Sequence, residues 1–349
     1  MEFPTNIGDL IHLRYFSFYS SYRIPVPPSI GNLFNLQTLK FLGAISKLPN
    51  EIGKLINLRH LQLSNGCSEG YPKSIANLTS LQTLENVYFH STILTNNNMA
   101  CLQDLRGLNN LRKLGLVNLG CEEDKEKAKE AELHNKTKLA HLYLLFDVFI
   151  LPEMETHETV LETLRPHISL KSLRIVNYRG RSISPSWMVS LINLRSLYLD
   201  HCHYHDTLPP LGKLPCLESL DIYSSDGLKK MGPEFLGVEI HSNTSTNSLF
   251  PKLKQLNIRR AKSLEEWVGV VGWNMNDPLK IMPCLESLDI SFCQMLRTLP
   301  DFLEATPLKN LNIFCCKHLA KSCLRETGND WPKIRHVPNI TISTRTRTR

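Results

Sequence analysis

One spacing constrains this chain more than any other feature. A leucine, two residues, a second leucine, one residue and an aliphatic or aromatic residue recur from Leu13, Leu36, Leu58, Leu81, Leu111, Leu139, Leu170, Leu194, Leu217, Leu253, Leu285 and Leu308. The Leu81 copy is imperfect, with Asn86 at its last position. Six of the intervals are 22–24 residues, and the longest is 36, from Leu217 to Leu253. In "LRHLQL", Leu61 and Leu63 fall on one face of a short strand, while His60, Gln62 and Ser64 face the other way. One such unit cannot bury its own leucines, so the units must stack. Each leucine buried that way contributes about 1.5–3 kcal/mol before entropy is subtracted. A period of roughly 20–29 residues is that of leucine-rich repeats. The expected fold class is therefore α/β: a leucine-rich-repeat solenoid (horseshoe) with a parallel concave β-sheet and an irregular or helical convex side. Twelve strands about 4.8 Å apart predict a sheet on the order of 55 Å long, with the longer intervals as insertions.

A second column supports this reading. Ser21, Ala44, Gly66, Cys202, Ser225, Ala261, Cys293 and Cys316 lie three residues past the last strand aliphatic, and all are small. That is the position where a leucine-rich repeat turns inward. The column breaks at Asp147 and Tyr178. The Gly-Lys pairs at Gly53-Lys54 and Gly212-Lys213 belong to the repeat, because Leu55 and Leu214 follow them where a phosphate loop needs Ser or Thr.

The 349 residues would suggest two globular domains, but a solenoid extends its core along one axis. We expect a single repeat domain of about 12 repeats over 1–340: regular repeats at 1–90, irregular ones with insertions at 91–168, a further set at 169–316 and a C-terminal cap at 317–340. Residues 341–349 form a basic tail ending in "TRTRTR". The net charge of +7 is scattered, so nucleic acid is not an expected partner. No apolar run is long enough to span a membrane. Without a signal-like start, the ten cysteines are expected as reduced cytosolic thiols. The glycosylation-type acceptors Asn77, Asn135, Asn243 and Asn339 are then coincidental.

Two segments read as convex helices. Residues 121–138 are rich in Glu, Lys and Ala, with i,i+4 pairs Glu123–Lys127 and Glu132–Lys136. Residues 157–166 put Val160, Leu161 and Leu164 on one face before Pro166. The polar stretch 237–250 reads as a loop.

Chemistry-bearing motifs are weak. "DHCHYHD" (200–206) offers three histidines around Cys202, but no ligand pair at zinc-like spacing accompanies them. Cys315 and Cys316, with His318, read as one exposed and one core thiol. No nucleophile elbow or metalloprotease motif occurs. We expect no enzyme activity and no cofactor. Trp187 and Trp267 read as core. The outward strand positions are Tyr15, Ser17, Lys40, His60, Gln62, Arg174, Tyr198, Asp200, Asp221, Tyr223, Arg259, Asp289 and Phe314. Tyrosine and arginine are favoured interface anchors. The candidate partner-binding set is Tyr198, Asp200, Asp221, Tyr223, Arg259 and Asp289. Arg259 could serve as an anchor or as an internal ion partner.

The ordered motifs carry a resemblance. "LPNEIGKLINLRHLQL" (48–63) and "YPKSIANLTSLQTL" (71–84) repeat one formula. They are followed by "LETLRPHISLKSLRI", "SPSWM", "LPPLGKLPCLESLDI", "KKMGPEFLG", "FPKLKQLNI", "LEEW" and "WPKIRHVPNI". The set resembles the leucine-rich region of plant intracellular nucleotide-binding immune receptors (NLRs) of the coiled-coil class. The resemblance implies protein recognition in innate immunity: sensing a pathogen effector, directly or through a guarded host protein, and holding the receptor inactive. It implies cytoplasmic or nuclear localisation, and contact with nucleotide-binding and coiled-coil domains. This chain carries neither domain, and Glu2 to Gly8 already resemble the tail of an earlier repeat. A receptor fragment, a truncated product and a separately encoded sensor stay open, as does a repeat scaffold without an immune role. A secreted ectodomain fits poorly, since the "LPxxIGxL" turns differ from the Gly-x-Ile-Pro turns of extracellular plant repeats.

Overall fold

Every copy of the leucine pattern becomes a strand that starts two residues after its first leucine. The computed structural model describes residues 3, 6–88, 99–147, 154–238 and 248–344. Asn243 and most of the tail, 345–349, lie outside the described residues, as does 239–247 of the expected loop. The chain divides into two units, Met1–Leu170 and Lys171–Arg349. The first contains β1 (Tyr15–Ile24), β2 (Thr38–Ile45), β3 (His60–Leu63), β4 (Thr83–Tyr88), β5 (Lys113–Leu119) and β6 (His141–Phe146), parallel and paired in chain order. The second contains β7 (Ser172–Val176), β8 (Ser196–Asp200), β9 (Ser219–Tyr223), β10 (Lys230–Met231), β11 (Ser248–Leu249), β12 (Gln255–Arg259), β13 (Glu266–Trp267), β14 (Lys280–Ile281), β15 (Ser287–Ser291), β16 (Asn310–Phe314) and β17 (Asn339–Ser343). Two-residue strands pair off separately, β10 with β13 and β11 with β14. The other seven form a parallel sheet in the order β7-β8-β9-β12-β15-β16-β17.

Equivalent repeat positions pair. Leu197, Leu220, Leu256, Leu288, Leu311 and Ile340 lie side by side, although the intervals between them vary. The insertions leave the register untouched because they leave through the opposite side of each repeat. The leucine pattern does not mark β17, whose core residues are Ile340 and Ile342, and its pairing runs to Ser343, past the expected end of the cap.

In the early repeats a proline opens each return turn. Pro27, Pro49 and Pro72 are extended at the start of 3-10 turns Pro28–Asn32, Asn50–Lys54 and Lys73–Asn77. The N–H of Leu33, Leu55 and Leu78 then closes onto the carbonyl of Ile30, Ile52 and Ile75, and all six side chains are buried. Asparagine amides join successive repeats: Asn35 donates to Ile11 O (2.9 Å) and Asn57 to Phe34 O (2.8 Å). The two Gly-Lys pairs are explained by packing. A Cβ on Gly53 would lie 2.6 Å from that of Ser74, and one on Gly212 would run into the carbonyl oxygen of Leu236.

The small-residue column holds in the second unit and needs correction at the start of the first. Cys202, Ser225, Ala261, Cys293 and Cys316 are all fully buried. Ser21 and Ala44 are not turn residues, because β1 and β2 continue past them, and Ser21 is exposed. Gly66 fits the column, buried in a left-handed turn (φ 67°), with Cys67 buried beside it. Tyr178 fills the column in the seventh repeat, its hydroxyl donating to Ser182 O (2.7 Å). Each turn of the second unit begins with a left-handed residue: Asn177, His201, Ser224, Arg260, Phe292 and Cys315, with φ between 49° and 59°. Their N–H groups make the last bond of the ladder, to the carbonyls of Asp200, Tyr223, Arg259, Ser291, Phe314 and Ser343 (2.7–3.0 Å). Asn86 is also left-handed (φ 54°), a bulge that lets Val87 take the buried place expected of it.

The expected helices form as α1 (Asp124–Glu130) and α2 (Met154–Thr163), the latter burying Val160 and Leu161, with Leu164 buried just past its end. Glu123 pairs with Lys127 at 3.2 Å. The second expected pair does not form. Glu132 meets Arg106 (2.8 Å), while Lys136 is buried and donates to the carbonyls of Leu105, Arg106 and Leu108 (2.8–3.4 Å). Lys136 stands three residues before a strand leucine, as Leu55 does before Leu58, so its stem fills a leucine site. Burial pulls its amine down to about 8. Three short helices, α3 (Pro233–Leu236), α4 (Lys317–Ser322) and α5 (Trp331–Ile334), complete the second unit. Trp187 and Trp267 are core residues.

Burial pushes the Cys202 thiol up to about 12, which suppresses the reactive thiolate. In native buffer Cys202, Cys293 and Cys316 should resist thiol labelling until denaturant is added, while the half-exposed Cys216 and Cys284 react first. Rapid labelling of the three buried thiols would break the assigned register.

Candidate binding surface

Because equivalent positions pair, the outward residues of the second unit line up in rows. One row reads Arg174, Tyr198, Asp221, Asn257, Asp289, Asn312 and Thr341. The next reads Val176, Asp200, Tyr223, Arg259, Ser291, Phe314 and Ser343. All six candidate residues lie in these two rows. Tyr198 neighbours Asp221, and Asp200 neighbours Tyr223, on paired strands β8 and β9.

The carboxylates are not free charges. Asp200 is only 8% exposed and contacts His201 Nδ1 (2.5 Å), the Tyr198 hydroxyl (3.4 Å) and Arg174 (3.7 Å). The Arg174 guanidinium also lies over the Tyr198 ring, 4.2 Å from its centroid. Burial and the Asp200 charge raise the pKa of the Tyr198 hydroxyl. Asp221 accepts from Asn257 (2.7 Å) and Ser219 (3.2 Å). Asp289 is a hub, accepting from Ser291 (2.6 Å), Asn312 (2.7 Å) and Arg259 (3.0 Å). Burial opposes its ionisation, yet these three donors outweigh it and hold its pKa below the ordinary value. Arg259 is thus an ion partner, with a side chain that remains about half exposed. Tyr223 is half-buried, near His201 (5.9 Å between rings) and the Arg260 guanidinium (5.5 Å).

Asn257 and Asn312 belong to this bonded network, though the candidate set omits them. Their signal was available, since each is the outward residue in a Leu-Asn-Ile triplet. In the first unit Lys40 lies 5.8 Å over the exposed Tyr15 ring, and His60 bonds Thr83 (3.0 Å).

The three histidines of 200–206 do not converge. His201 bonds Asp200, His203 lies 3.9 Å from Asp226, and His205 is fully buried. Among the described residues, no group of three or more His, Cys, Asp or Glu side chains is placed to hold a metal ion, and no helix is long and apolar enough to cross a membrane.

The comparisons with known proteins fit this architecture. Residues 4–321 match the family described as leucine-rich repeat region. The chain belongs to that family. It is similar to disease resistance protein RGA2 of Solanum bulbocastanum, 30% identical over 239 residues, which cover 68% of this chain and 23% of that one. It is also 30% identical over 342 residues to probable disease resistance RPP8-like protein 4 of Arabidopsis thaliana, covering 97% of this chain and 34% of that one. The chain therefore spans about a quarter to a third of these relatives' length. Among solved structures, an internalin of Listeria monocytogenes matches with a TM-score of 0.51 at 15% identity, covering 97% of this chain and 89% of the internalin, which supports the repeat fold.

Two expectations follow. Replacing Asp289 with Ala leaves three donors without their acceptor, which should cost about 2 kcal/mol. Thermal unfolding should show a Tm lower by roughly 4–8 °C; an unchanged Tm would refute the hub. Burial lowers the His205 pKa from 6.5 to about 4, and among the described residues neither ring nitrogen has a hydrogen-bond partner. The unfolded chain then binds a proton more readily, so stability is full above pH 6.5 and declines as pH falls toward 4. The loss should reach on the order of 3 kcal/mol, and urea titrations of His205→Phe should show a shallower decline over that interval.

Proposed function

We propose that this chain is a protein-recognition module of plant innate immunity. It senses pathogen effectors, directly or through a guarded host protein, and helps hold a receptor with nucleotide-binding and coiled-coil domains inactive. It acts in the cytoplasm or nucleus, catalyses no reaction and needs no cofactor. The observation that carries this reading is the set of pre-made bonds that joins β7 to β8, and β9 through β12 and β15 to β16, in which carboxylates, amides and arginines already hold one another in place. A surface fixed before contact loses little freedom on binding. Similarity to disease resistance proteins supplies the biological setting. Tyr198, Asp200, Asp221, Tyr223, Arg259 and Asp289 form the contact set, with Tyr198, Tyr223 and Arg259 as anchors and the aspartates as their frame.

Proximity labelling from this chain in pathogen-challenged plant tissue tests the reading. Tyr198→Ala and Tyr223→Ala should fold normally and lose specific neighbours that the unaltered chain labels. With such a neighbour purified, each substitution should weaken binding about thirtyfold. Identical labelling by all three proteins would refute the contact set.

A further inference from the structure

Left-handed residues follow the strands of the second unit, and where they are exposed or half-buried, as at His201, Arg260, Phe292 and Cys315, they form a rim beyond the outward rows. On this rim the Arg260 guanidinium lies between two rings, 5.5 Å from the Tyr223 centroid and 5.7 Å from that of Phe292. Phe292 meets Phe314 edge to face at 5.3 Å, and Tyr223 lies 5.9 Å from His201. An arginine held between aromatic faces keeps its N–H edge available for a carboxylate.

Beside Phe292 a cavity of about 670 Å³ opens, lined also by Met295, Cys315, Lys317 and His318. Met295 is 39% exposed, so its thioether presents apolar surface at this opening. Arg259 is paired with Asp289, Arg174 with Asp200, and Lys262 with Asp226. Arg260 and Lys317 have no carboxylate within ion-pair distance among the described residues. A hollow that is apolar on its Phe292 and Met295 side and polar at Gln294, His318 and Thr344 is thus flanked by two uncompensated cations, one of them pre-positioned by stacking.

We propose that this rim docks an acidic peptide segment carrying a bulky apolar side chain. The apolar side chain enters the cavity between Phe292 and Met295, and flanking carboxylates meet Arg260 and Lys317. This rests on reading the chain as a recognition module, and gives that module's partner a chemistry. Nucleic acid suits the rim less well. A phosphate backbone calls for a run of cations, and the cavity wall is part apolar.

Fluorescence anisotropy with the full chain tests the proposal. The probe is a labelled dodecapeptide with glutamates on both sides of a central Phe-Leu pair. It should bind saturably, and more weakly as salt rises. Lysine in place of glutamate, or serine in place of Phe-Leu, should weaken binding at least tenfold. Arg260→Glu and Lys317→Glu should each do the same, and Arg260→Glu should recover binding of the lysine analogue. Lys129→Glu, on exposed α1 of the other unit, should bind as the unaltered chain does. Absence of saturable binding overturns the proposal, as do equal binding of the lysine analogue, unaltered binding by Arg260→Glu, or equal competition by an oligothymidylate. These outcomes leave the concave reading standing, because labelling by Tyr198→Ala tests that separately.

Discussion

The structure depends on leucines that no single repeat can bury. Leu197 is covered only because Leu220 lies beside it, and Leu220 because Leu256 does. That dependence fixes the lateral register, since a one-residue slip would turn every core side chain outward. Intervals of 23, 36 and 32 residues therefore converge on the same pairing, and the surplus chain is expelled as loops and two-residue strand pairs. The outward rows are a by-product of this constraint: side chains distant in sequence are delivered next to one another at strand spacing.

Those rows settle their charges laterally. Asp289 receives bonds from its own strand and from both neighbours. Asp221 is served by Asn257 one strand away. Removing an acceptor at the centre of such a group strands several donors, so the ladder behaves as a unit. Under the proposed reading, a partner would meet a surface whose polar groups are largely satisfied, and discrimination would fall to the half-exposed rings and guanidinium edges.

Much of this was legible from spacing alone. Each leucine copy located its strand, and the outward residue of each Leu-x-Ile triplet was readable, including the Asn257 and Asn312 left out of the candidate set. Other features were hidden for physical reasons. Lys136 reads as a surface charge until its position reveals a leucine site with three carbonyls at the far end. Asp200 reads as exposed acid, but its burial comes from Arg174, Tyr198 and His201, which converge only in three dimensions. β17 has isoleucines where the pattern sought leucines. Arg260 and Phe292 escaped because a strand pattern ends one residue before the left-handed turn that displays them.

That turn has a consequence for variation. A left-handed conformation costs an ordinary residue about 1–2 kcal/mol relative to glycine. His201, Arg260, Phe292 and Cys315 adopt it nonetheless, held by the final ladder bond on one side and a buried small residue on the other. The same backbone bonds recur at every one of these turns, so the shape does not depend on one kind of side chain. Histidine, serine, arginine, phenylalanine and cysteine all occupy the same geometry in neighbouring repeats. In the second unit, the turns that leave this residue exposed or half-buried thereby offer one exchangeable letter on a fixed frame, and the rim can change what it displays while the leucines beneath it stay as they are.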